Sequence, residues 1–214
     1  MEFLRNFIDF VIHVDVHLNE LIALYGTWTY AILFAIIFSE TGFVVTPFLP
    51  GDSLLFAAGA LAAAGSLSST SLFFSLSVAA ILGNMTNYWI GYLVGPKILS
   101  NRDVRFINRR HLDRAHKFFE KYGGITIIYA RFLPILRTFA PFVAGIGFMN
   151  YGKFMFFNAT AGICWVGIFI YSGFFFGRLQ VVRENFSVVL VAIIIISTLP
   201  ILIEFIRRRK KPAK

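Results

Sequence analysis

Two apolar segments, 72–94 and 154–176, constrain the chain most, because each is long enough at about 20 residues to cross the hydrocarbon of a bilayer. A third, 186–206, runs directly into a basic tail, 207–214. The composition agrees with a lipid solvent: 57% hydrophobic and 14% charged residues, against about 45–50% and about 25% in average globular proteins. Aromatic residues make up 17%, 26 of them Phe, and the mean hydropathy is +0.73. With 214 residues the chain reads as one integral membrane domain. A soluble enzyme and a disordered tail are thereby excluded. A disulfide scaffold is excluded too, since Cys164 is the single cysteine.

The formal net charge of +9 raises nucleic acid as a partner, and the placement of the charge answers it. One block, Lys97 to Lys121, includes Arg102, Arg105, Arg109, Arg110, Arg114 and Lys117; the other is Arg207, Arg208, Arg209, Lys210, Lys211 and Lys214. Both flank apolar runs, the pattern expected of cytoplasmic segments facing anionic headgroups. The basic segment 96–122 and the tail are therefore assigned to the cytoplasm, and no nucleic acid is expected. Residues 1–26 place Phe3, Phe7, Phe10, Val14, Leu18 and Leu21 at helical spacing among polar positions. That predicts an amphipathic helix at an interface rather than a signal peptide, for the basic leader is missing.

Two further apolar stretches, 28–64 and 125–149, do not read as plain spans. The first carries Glu40 and Asp52 and is interrupted by Pro47, Pro50 and Gly51; the second carries Arg131 and Arg137 and is interrupted by Pro134 and Pro141. Proline removes a backbone donor and disfavours helix in the preceding residue, so each stretch should split. Gly145 is expected to shape the return of the second. Parity decides whether they cross or return. If segment 96–122 and the tail share the cytoplasmic side, the chain between them crosses an even number of times, and spans 154–176 and 186–206 already supply two crossings. The stretch 125–149 should then be a re-entrant hairpin. By the same reasoning 28–64 is a hairpin from the outer side, followed by span 72–94. The predicted fold is all-α: an N-terminal amphipathic helix, then two inverted re-entrant hairpins, each followed by a transmembrane helix, and a C-terminal transmembrane helix, 27–206 forming the membrane domain. Inverted repeats with broken helices are a transporter signature.

A charge in the bilayer centre costs roughly 2.5–3.5 kcal/mol on insertion scales. Glu40 and Asp52 against Arg131 and Arg137 are matched two and two, so structural ion pairs are one reading. The functional reading is that arginine forks hold an oxyanion while carboxylates carry protons. Arg131 and Arg137, six positions apart, would not align on one continuous helix; a break at Pro134 would let both guanidinium groups converge. Asn84, Asn87 and Thr138 could line a route, and Tyr88 and Asn158 are further polar groups at depth.

The motifs Glu40-Thr41-Gly42, Pro47-Phe48-Leu49-Pro50-Gly51-Asp52-Ser53, Arg131-Phe132-Leu133-Pro134-Ile135-Leu136-Arg137-Thr138 and Pro141-Phe142-Val143-Ala144-Gly145 resemble those of the DedA family of bacterial inner-membrane proteins. Its domain is also called SNARE-associated or VTT and is similar to that of lipid scramblases. The resemblance covers about residues 20–206. It implies a lipid transporter dependent on the proton gradient, moving a polyprenyl-phosphate carrier or a phospholipid and supporting envelope integrity. It also implies functional acids at Glu40 and Asp52 and functional arginines at Arg131 and Arg137. Asn84 departs from the acid that some members carry there. In the mechanism expected, protonation of Glu40 or Asp52 releases the arginines for a lipid phosphate.

Alternatives remain at this point: a proton-coupled ion or drug transporter, a lipid-phosphate phosphatase, or a membrane scaffold. A phosphatase needs a nucleophile and acid beside the arginines, and only Thr138 stands there. No enzymatic activity, cofactor or metal is expected. The pairs His13/His17 and His111/His116 lack a carboxylate–histidine motif for zinc. Glycines within the spans predict close helix packing, and a homodimer is open.

Overall fold

A computed structural model describes residues 20, 22–43, 51–100, 123–180, 182, 188, 189 and 191–193. Outside them lie most of the N-terminal helix 1–26, Pro47 and Pro50, the four histidines, the basic segment beyond Ser100, most of span 186–206, and the tail. All secondary structure among the described residues is helical.

A 3-10 turn, Gly26–Trp28, leads into α1, Thr29–Gly42; then come α2, Gly51–Ala63; α3, Ser69–Ser100; α4, Ile125–Arg131; α5, Pro134–Ile146; and α6, Tyr151–Phe176. Three stretches are long and apolar enough to span a membrane: Ile22–Gly42, Ser69–Gly95 and Tyr151–Phe176. Helices α2 and α5, of 13 residues each, reach only about 20 Å at 1.5 Å per residue, short of a roughly 30 Å hydrocarbon core.

The end of α3 and the place of Pro141 differ from the sequence reading, while the split of 125–149 follows it. The apolar span 72–94 is followed by Gly95 and Pro96, residues that favour a helix end, yet α3 continues to Ser100; a proline in an apolar helix is tolerated where neighbours satisfy the freed carbonyl. The stretch 125–149 breaks once, at Phe132 and Leu133, while Pro141 lies inside α5. Pro134 occupies the first position of α5, where its missing N–H would be unbonded in any case.

The chain divides into two compact units. The first comprises 1–34, 49–76 and 166–214. Within it α2 is buried from Gly51 to Ala62 without interruption, as an all-round apolar helix must be. Its backbone meets that of α6 at small residues. A Cβ at Gly59 would lie 2.1 Å from the Ile170 carbonyl oxygen, and one at Gly173 would lie 2.0 Å from that of Phe56. Helix α2 ends in a reciprocal pair of bonds, Gly65 N–H to Ala62 C=O and Ser66 N–H to Leu61 C=O, with Gly65 at φ +88°. This is the arrangement that satisfies terminal carbonyls through one left-handed residue.

The second unit comprises 35–48 and 77–165. Its core is Tyr88, Ile127, Ala144, Met149 and Phe154. The Tyr88 ring stacks on Phe154 at 4.5 Å, and its hydroxyl donates to the Met149 carbonyl at 2.6 Å. Helices α3 and α5 approach at two glycines: a Cβ at Gly91 would lie 2.1 Å from the Phe142 carbonyl oxygen, and one at Gly145 2.1 Å from that of Tyr88. Gly145 therefore serves helix packing inside α5. The return after α5 falls to Phe148, at φ +51°.

Candidate functional site

Among the described residues, five helices contribute polar side chains to the buried network, α3 among them with Asn84 and Asn87. Helix α1 brings Glu40 and Thr41 into its last turn, α4 ends on Arg131, α5 carries Arg137 as its fourth residue, and α6 contributes Asn158 and Trp165. The break between α4 and α5 has an electrostatic consequence. Arg131 sits at the negative end of one helix dipole, which favours it, whereas Arg137 sits in the positive first turn of the next, which does not. An acid must offset the second, and Glu40 does: Arg137 Nη2 donates to Glu40 Oε1. Arg137 is 3% exposed and Glu40 fully buried.

Arg131, 1% exposed, is held otherwise. Its Nη1 donates to Asn158 Oδ1 at 3.0 Å. That oxygen also accepts from Asn84 Nδ2 at 3.0 Å, while Asn158 Nδ2 donates to the Ile81 carbonyl at 3.0 Å. The Asn158 oxygen thus has both its acceptor sites filled. Arg131 Nε and Nη2 have no hydrogen-bond acceptor among the described residues, and a charged donor left so at depth is costly. Both guanidinium groups lie over one Trp165 ring, at 5.3 Å for Arg131 and 4.8 Å for Arg137 from its centroid, within cation–π range. Both arginines thus meet the same ring.

Asn87 ties the arms. Its Nδ2 donates to the Thr138 carbonyl at 2.7 Å and to the Thr41 carbonyl at 3.3 Å, the residues next to Arg137 and Glu40. The Thr41 carbonyl is in the last turn of α1, where no intrahelical donor remains. Proline 141 withholds its own N–H from the carbonyl of Arg137, one residue before Thr138. Helices α1 and α3 cross closely here, since a Cβ at Gly83 would stand 1.9 Å from Thr41 Oγ1. Asn84 acts as a donor toward Asn158, a part that an ionised acid could not play.

Asp52 and Gly51 open α2 in the first unit, with Asp52 buried in its first turn, the favourable end for an acid. Thr138 is fully buried. The sequence reading did not find Trp165, and it counted Asn158 among many polar groups without linking it to Arg131. The signal was present as spacing: 158, 162 and 165 are four and seven residues apart, one face of a helix.

The VTT domain model matches residues 49–175. Protein DedA of Escherichia coli is 50% identical over 216 residues, covering 100% of this chain and 99% of that protein. An uncharacterized membrane protein of Mycobacterium leprae is 42% identical over 168 residues, 78% and 75% of the two chains. Inner membrane protein YqjA of Escherichia coli is 35% identical over 156 residues, 71% and 69%. No solved structure matches. With the family's domain across more than half its length and a relative aligned end to end, this multi-pass helical membrane protein belongs to the DedA family.

Proposed function

We propose that the protein moves a lipid phosphate, a polyprenyl-phosphate carrier or a phospholipid, across a bacterial inner membrane in a way that depends on the proton gradient. The observation that carries this reading is the pair of buried guanidinium groups over Trp165, one of which keeps two N–H donors without an acceptor among the described residues. Arginine retains its charge at any depth and its fork matches phosphate oxygens. In this reading the headgroup is held by Arg131 and Arg137 while its tail stays in the hydrocarbon. Protonation of Glu40 weakens its pair with Arg137 and frees that fork. Asp52 takes a corresponding part at the start of α2, as its place in the family motif suggests. The stretches 28–64 and 125–149 are re-entrant hairpins of opposite orientation, the C-terminus is cytoplasmic, and the protein is a transporter with no reaction of its own. The short reach of α2 and α5 supports that topology.

The test is headgroup movement of polyprenyl phosphate in liposomes holding the purified protein, with and without a pH gradient and beside a zwitterionic phospholipid. Arg131→Ala and Arg137→Ala should abolish movement. Glu40→Gln and Asp52→Asn should leave movement that no longer responds to the gradient. Equal movement in wild type, variants and empty liposomes overturns the reading.

A further inference from the structure

Helix α6 presents three residues to Arg131, each acting on a different part of the guanidinium. Asn158 Oδ1 accepts from Nη1. Trp165 sets its ring centroid 5.3 Å from Cζ. Gly162 lies against the Nη2 end, where a Cβ would stand 3.4 Å from Nη2 and 3.5 Å from Cζ, in van der Waals contact. What stays open is one edge: Nε and Nη2 are both buried and without an acceptor among the described residues. Those two N–H bonds point the same way, and together they form the side-on fork that accepts two oxygens of one anion.

We propose that Asn158 is the positioning residue that fixes Arg131 as this side-on fork, directed at an anionic group presenting two oxygens, with Gly162 and Trp165 completing the cradle. The inference rests on the lipid-phosphate reading and deepens it. Pinning by Nη1 leaves the other edge free, whereas pinning by Nε or Nη2 would block it. Asn158 is suited to this because it is neutral: it accepts from the guanidinium without cancelling the charge that draws the anion. Its own orientation is set from both sides, by Asn84 Nδ2 and by the Ile81 carbonyl. The shared chemistry is a phosphate with two unesterified oxygens, whether on a lipid or free.

Binding of dodecyl phosphate and of inorganic phosphate to the full chain in detergent tests it. Asn158→Asp keeps an acceptor for both Arg131 and Asn84 but gives up the donor to the Ile81 carbonyl, so thermal unfolding is read beside binding; in folded protein its carboxylate should occupy the charge and weaken dodecyl phosphate about tenfold or more. Arg131→Lys retains a charge without the fork and should lose a comparable factor. Gly162→Ala, which crowds the Ile81 side chain at 3.0 Å and sets a methyl in contact with Nη2, should lose a smaller one. If Asn158→Asp and Gly162→Ala bind as wild type does while Arg131→Ala binds nothing, the positioning role is overturned and the lipid reading stands. If inorganic phosphate binds as tightly as dodecyl phosphate and the variants weaken both, the fork stands and the lipid reading fails. A wild-type protein that binds neither overturns both.

Discussion

Helices α2 and α5 are alike in length and in how they end, and unlike in what surrounds them. Each has 13 residues. Each closes through one left-handed residue and a reciprocal bond pair, in α5 from Phe148 N–H to Gly145 C=O and from Met149 N–H to Ala144 C=O. Yet α2 is buried on every face from Gly51 to Ala62, whereas α5 turns Arg137, Thr138 and Ala144 inward and leaves Leu136 and Phe139 exposed at 49% and 41%. Past Asp52 and Ser53 in its first turn, the helix covered all round keeps only apolar side chains and glycine and is limited by size. One covered on a single face can carry a charge there and is limited by polarity. The shared architecture therefore does two different jobs along most of each helix, close packing in α2 beyond its first turn and placement of a charge on one face of α5.

Removing the charge should give the largest effect. Arg137→Ala leaves the fully buried Glu40 without its guanidinium, a loss that in buried pairs costs about 3–5 kcal/mol. Thermal unfolding in detergent should show it, and Glu40→Gln on top of Arg137→Ala should recover part of the loss. No recovery would mean that the pair does not set the stability of this face.

Next come the close approaches, which put the two helices on equal terms. Gly59→Ala in α2 sets a methyl 2.1 Å from the Ile170 carbonyl oxygen, and Gly145→Ala in α5 sets one 2.1 Å from that of Tyr88. Backbone must move in both cases, and overpacking of this kind costs about 1–3 kcal/mol. The contrast appears on the outer face: Leu136→Ala and Phe139→Ala should change stability by less than about 0.5 kcal/mol, while Leu55→Ala in α2, fully buried, should cost about 2–5 kcal/mol. Equal losses at Leu136 and Leu55 would break the comparison.

This difference explains how much of the molecule was legible in the sequence. Apolar length announces the spans, and proline with charge announces the breaks, because both are local effects. The break at Phe132 and Leu133 was readable from Pro134; that Pro141 sits inside α5 was not, since it depends on helices packed around that turn. Likewise the four charges were legible by their cost in lipid. Which charge meets which partner was not, because Glu40 and Arg137 are 97 residues apart and Asn158 reaches Arg131 across 27. Trp165 escaped for another reason: in a chain so rich in aromatics, one more ring at helical spacing carries no local mark of its contact with two cations.

The smallest effect lies in the two helix ends. Both need a residue with positive φ, Gly65 at +88° and Phe148 at +51°, and a side chain in that conformation costs about 1 kcal/mol. Nothing stands within 4 Å of a Cβ at Gly65, so Gly65→Ala meets only that intrinsic cost, about 1 kcal/mol. Phe148 already bears it and is compensated by its edge-to-face contact with Tyr92 at 5.3 Å, a class of contact worth about 0.5–1.5 kcal/mol. Phe148→Gly should therefore be nearly neutral, relief of the backbone offsetting loss of the ring. Phe148→Ala, which keeps the backbone cost and loses the ring, should be the worse of the two. Unfolding of the three variants side by side checks the order, and a Phe148→Gly protein that is clearly stabilised would show that the ring contributes nothing to holding the end of α5.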